Sequence, residues 1–76
     1  MQETIEARTK AAFGAWLLIQ GERKGLIGRL AKAAAADRGF PRRGTPDEVR
    51  ARLIATQADG DMFEALDDAE LDWAAY

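Results

Sequence analysis

The chain has 76 residues, 47% of them hydrophobic and 32% charged, the size and mixture of one small globular domain over residues 1–76 rather than a disordered segment. It contains no Cys, His, Ser or Asn, which excludes disulfides, Cys- or His-ligated metals, Ser and Cys nucleophiles and histidine acid–base chemistry. The net charge of −2 conceals a split: residues 1–58 carry 11 Lys/Arg against 6 Asp/Glu, whereas residues 59–76 carry 7 Asp/Glu and no base.

Hydrophobic periodicity predicts four helices. The first runs over about 3–20. Ile5, Thr9, Ala12, Phe13, Trp16, Leu17 and Gln20 recur at spacings of three and four, the signature of one helix face. Leu18 and Ile19 widen that face, and Gly21 stands where a left-handed residue would stop the helix. The second covers about 25–38, with a stripe of Leu26, Ile27, Leu30, Ala31 and Ala34. Gly39 is expected to end it. Phe40-Pro41 then forces an extended backbone at Phe40, which suits an aromatic plug in the core.

The third helix, about 46–58, has the sharpest start signal in the chain. Thr45-Pro46-Asp47-Glu48 is a capping box, with Pro at the first helical position. Val49, Leu53, Ile54 and, at its end, Gln57 are expected on its inward face, with Arg50 and Arg52 pointing away. The fourth helix, about 61–75, follows Asp59-Gly60-Asp61. Either aspartate can cap it, and Glu64 stands three residues after Asp61, a second capping-box spacing. Met62, Phe63, Leu66, Ala69, Trp73 and Tyr76 keep one apolar face, while Asp67, Asp68, Glu70 and Asp72 lie mostly on the other.

No alternating run supports a strand, so the predicted class is all-α, a compact bundle of four to five short helices. The expected core is Phe13, Trp16, Leu17, Leu30, Phe40, Leu53, Phe63, Leu66 and Trp73, because so small a bundle needs its few large side chains inside. The longest apolar run, Ala15 to Ile19, is far short of the ~20 residues of a membrane span. The start of the chain has no basic segment leading an apolar one. No membrane association is therefore expected, and a cytoplasmic location is.

The run Phe13-x-x-Trp16-Leu17-x-x-Gln20-x-x-Arg23, then Ile27-Gly28-x-Leu30-Ala31, then Asp37-x-x-Phe40-Pro41, resembles the YozE-like family of small bacterial proteins. Val49-x-x-x-Leu53 and Ala65-Leu66-x-x-Ala69 extend the likeness over roughly residues 13–76. The resemblance implies a SAM-like (sterile-alpha-motif-like) helical fold and implies no particular activity. The chain departs from the family pattern where Glu70-Leu71-Asp72 intervene between Ala69 and Trp73.

Three surface constellations are candidates for function. Arg23, Lys24 and Arg29 flank Gly25-Leu26-Ile27-Gly28, a glycine-bearing helix start of the kind that can hold a phosphate. Arg38, Arg42 and Arg43 surround the Phe40-Pro41 turn. Asp67, Asp68, Glu70 and Asp72 make an acidic last helix. Adjacent carboxylates on one exposed helix do not converge on a metal or form an opposed catalytic pair, so no metal or cofactor site is expected there. Arg23 has a structural alternative, pairing with Asp37 or a helix C-terminus.

Together these features predict a small non-enzymatic interaction module that binds a protein, or itself, through charge-complementary surfaces. One alternative is nucleic-acid binding by the basic clusters at 23–29 and 38–43, against which the sequence pI of about 5.0 counts. Another is a phage- or plasmid-type inhibitor whose acidic last helix mimics a phosphate backbone.

Overall fold

The computed structural model describes residues 10–76. Among the described residues, four helices pack around one core: α1 (Phe13–Leu18), α2 (Leu26–Ala36), α3 (Pro46–Ala55) and α4 (Gly60–Ala75). No strand is present among the described residues, and no helix there is long and apolar enough to cross a membrane. The buried cluster is Phe13, Trp16, Leu17, Leu30, Ala31, Ala34, Phe40, Val49, Ala65, Leu66 and Ala69. α2 and α4 share the most extensive contact. Buried alanines on both (Ala31, Ala34, Ala65, Ala69) let their axes approach closely.

Of the stretch predicted as one helix over about 3–20, only Phe13–Leu18 is α-helical among the described residues. The stripe positions Ile5 and Thr9 lie outside the described residues. Within them, Ala12 is extended (φ −61°, ψ 153°), so the helix begins only at Phe13. Tertiary bonds override the helix propensity of Ala11 and Ala12. The Trp73 indole N–H donates to the Ala11 carbonyl (2.9 Å), and the Gly14 N–H donates to the Gly44 carbonyl (2.9 Å). The helix also stops early. Ile19 N–H and Gln20 N–H close tight i→i−3 bonds to Trp16 and Leu17, and the Gln20 amide bonds back to the Trp16 carbonyl. Gly21 has no positive φ and is not the left-handed stop that its position suggests.

Two glycines permit close backbone approach instead. A Cβ on Gly14 would strike the Pro41 carbonyl oxygen, and one on Gly28 would strike the Arg23 carbonyl oxygen. Gly14 thereby seats the 41–44 turn on α1, and Gly28 seats the α1–α2 loop on α2. The N-cap of α2 is Gly25, at φ 86°. That helix ends at Ala36 rather than 38, and Phe40 plugs the core.

The capping box of α3 is complete. Thr45 Oγ1 accepts from the Glu48 N–H (3.1 Å), and Glu48 Oε1 accepts from the Thr45 N–H (2.8 Å). Its C-terminus is a Schellman turn: Ala58 N–H donates to the Leu53 carbonyl (3.0 Å) and Gln57 N–H to the Ile54 carbonyl (3.1 Å). Helix α3 therefore ends at Ala55, and Gln57, expected inside, is exposed with a left-handed φ of 57°. Ile54 also departs from expectation and is 62% exposed. Because an L-residue in this conformation costs roughly 1–2 kcal/mol, Gln57→Gly is expected to raise stability by a sizeable part of that. A lower urea midpoint for the variant would contradict the assignment.

Helix α4 starts one residue earlier than predicted, with Asp59 at the N-cap and no side-chain cap bond. The Asp61–Glu64 capping box does not form, because both residues already lie inside the helix. Phe63, expected in the core, is half-buried and stands apart from the cluster, and Leu53 and Trp73 pack at its edge. Trp73 meets Phe13 edge-on at 5.6 Å, Tyr76 lies 6.3 Å from Trp16, and Lys10 sits over the Trp73 ring at 4.6 Å. These contacts pin the end of α4 against the start of α1.

Candidate protein-interaction surface

The segregated charges find one another inside the chain. Arg23 pairs with Asp72 (2.7 Å) and Arg50 with Asp67 (2.5 Å). Both pairs are exposed, and such pairs are typically worth under about 1 kcal/mol. Their larger consequence is positional, since they engage two of the four candidate acids together with Arg23, one of the six candidate bases, and Arg50. Arg23 does not take Asp37, the partner suggested by sequence. Asp37 belongs instead to Arg52, whose Nε (2.8 Å) and one terminal nitrogen (2.6 Å) grip both carboxylate oxygens. Arg52 therefore does not point away from the fold.

Gly39 has a specific part in this fork. Its N–H donates to Asp37 Oδ1 (2.9 Å), and a Cβ there would collide with the guanidinium. The Arg52 fork, then the Gly39 N–H, hold the Asp37 carboxyl down from 3.8 to about 2, and Asp37 in turn raises the Arg52 pKa. The sign follows from the lowered value. The bridge contributes fully above about pH 4, where Asp37 is ionised in both folded and unfolded chains, and its contribution fades as pH falls through about 2. Asp37→Asn is expected to lower the urea midpoint at neutral pH. The gap from wild type should narrow between pH 4 and pH 2, and a gap constant over that range would contradict the bridge.

The fork stands at the lip of an apolar cleft of about 170 Å³. α2 contributes Leu30, Ala33 and Ala34, and the plug contributes Phe40. The Schellman turn supplies Leu53, Thr56 and Ala58, and α4 closes the cleft with Met62. The cleft thus exists because α3 is stopped by a left-handed residue and α4 departs from that turn.

The basic candidates divide around this feature. Arg38, Arg42 and Arg43 are exposed on the turn that carries Phe40, and Arg29 stands one helical turn before Ala33. None of these four pairs with an acid among the described residues. Arg23 is instead drawn to α4, and Lys24 lies in the exposed α1–α2 loop. At the glycine-bearing start of α2, the Arg23 carbonyl lies where a Cβ on Gly28 would stand, which ties the α1–α2 loop to the helix. Asp68 and Glu70 remain exposed and form no ion pair among the described residues. Asp59 and Asp61, both exposed, adjoin the lining residues Ala58 and Met62 in the chain. No group of three or more acidic residues that could hold a metal occurs among the described residues.

Sequence reasoning missed the cleft and the role of Arg52. The available signal was limited to the single Asp37 beside a glycine turn, which asks for a fork-shaped donor without naming one. Comparison with family models, curated proteins and solved structures finds no match to this chain.

Proposed function

We propose that this protein is a small non-enzymatic interaction module that takes an acidic protein surface at the cleft between α2, α3 and α4. The carrying observation is the conjunction of an apolar cleft with exposed arginines on the turn that builds one of its walls. Buried apolar anchors supply most of the affinity in protein interfaces, and rim charges supply orientation and speed. The Asp37–Arg52 fork gives the lip a fixed shape before binding, which lowers the ordering cost. The order of Trp16-Leu17, Asp37 and Phe40-Pro41 supports placing the chain near the YozE-like proteins, a grouping that by itself suggests no partner.

The other readings have less support. Nucleic-acid binding loses Arg23 to Asp72, and the sequence pI of about 5.0 counts against it. A phosphate-mimicking inhibitor loses Asp67 and Asp72 to arginines.

The test is comparative affinity capture from the source cell with wild type, Ala33→Glu and Arg38→Glu/Arg42→Glu. Circular dichroism would first establish that each variant is folded. Proteins retained by wild type should be lost by both variants, and equal retention by all three would overturn the cleft as the binding face.

A further inference from the structure

On the basis of that reading, we infer that one occupant of the cleft is a second copy of this chain, which inserts the outer face of its α4. That face carries an exposed apolar patch. Leu71 is 70% exposed, and Ala74 and Ala75, at i+3 and i+4 from it, are exposed beside it. Glu64 and Asp68 stand seven and three residues before Leu71 on the same side of the helix. The donor is therefore an aliphatic anchor next to acids, on a helix that contains no base. The acceptor is an apolar cleft whose Phe40 wall belongs to a turn with exposed arginines that pair with no acid among the described residues, while Asp59 and Asp61 adjoin only its Ala58–Met62 side. An apolar anchor thus meets an apolar cleft, and acids on the donor meet the arginines of the Phe40 turn.

The sizes agree. A cavity of ~150 Å³ takes a benzene-sized group, so about 170 Å³ accommodates a leucine side chain. The two surfaces occupy different parts of the fold. The cleft uses the inward side of α4 at Met62, and the patch uses the outward side two to three turns later. One chain can therefore engage two neighbours. Such a heterologous contact builds open chains or rings rather than a closed dimer. With Asp67 and Asp72 held by Arg50 and Arg23, Glu64 and Asp68 are the acids on the Leu71 side of α4 that form no ion pair among the described residues.

Sedimentation velocity of the full chain across a concentration series tests this. Wild type should form species that grow with concentration beyond a dimer and shrink as salt is raised. Leu71→Asp and Ala33→Glu should each weaken self-association at least about tenfold, the loss expected when a central anchor or its socket is removed. Both positions are exposed, and circular dichroism would establish folding. Mixed together, the two variants should form a one-to-one complex and nothing longer, because each retains the surface that the other lacks. A wild type monomeric at all concentrations, undiminished association of Leu71→Asp, or a mixture that stays monomeric would overturn the inference. If wild type is monomeric yet Ala33→Glu loses captured proteins, the interaction-module reading stands and the second-copy inference alone falls.

Discussion

Leu66→Ala is expected to cost about 2–5 kcal/mol, the loss seen when a fully buried leucine leaves a cavity its neighbours cannot fill. Leu66 is 0% exposed on α4, the helix that faces α2 across the most extensive contact. A domain of 76 residues has a total stability of roughly 4–11 kcal/mol, so this one change removes a large share. Urea unfolding followed by far-ultraviolet circular dichroism would register it as a marked fall in midpoint. Phe63→Ala is the informative control. Phe63 has the larger side chain, yet it is half-buried and stands outside the buried cluster. Its loss should be clearly smaller, because part of the ring is already hydrated in the folded state. A Phe63→Ala cost equal to that of Leu66→Ala would mean that the core is drawn wrongly.

That contrast shows where legibility ended. Leu66 and Phe63 both belong to the apolar period of the last helix, and a period defines a face without saying how much of it a neighbour covers. The all-helical class and the capping box were readable because both are local: the signals at Thr45, Pro46 and Glu48 lie within one turn. The break before Phe13 was not readable. It arises from a bond between Trp73 and Ala11, 62 residues apart, acting on alanines that favour helix in isolation. The left-handed Gln57 was equally hidden, since glycine is the usual marker and none stands there.

The charge split was visible in the composition, but its resolution was not. Arg23 and Asp72 are 49 residues apart, and nothing near either one names the other. The pairs changed the functional reading as well. A basic body and an acidic tail suggested two whole regions attracting each other. Instead, part of the tail is neutralised within the chain. What remains for a partner is a smaller surface, with apolar groups at its centre and charges at its edge.

Gly28→Ala tests a close backbone approach that the sequence does not show, and its sign is the informative part. Inside a helix this substitution ordinarily gains up to ~1 kcal/mol, because alanine restricts the unfolded chain and favours the helix. At Gly28 the added methyl would enter the space held by the Arg23 carbonyl. Backbone cannot swing aside as a long side chain can, so the α1–α2 loop must lift from α2. The expected result is a loss of about 1–3 kcal/mol, the usual range for overpacking. Gly60→Ala, in the first turn of α4, meets nothing within 4 Å and should leave stability unchanged or improved. Opposite signs for these two chemically identical changes, measured by urea midpoint, would establish that Gly28 is required by backbone approach. A gain at Gly28 would instead mean that the α1–α2 loop yields easily. The same variant reports on the loop that carries the Arg23–Asp72 pair, because the Arg23 main chain lies against Gly28 and the Arg23 side chain reaches Asp72.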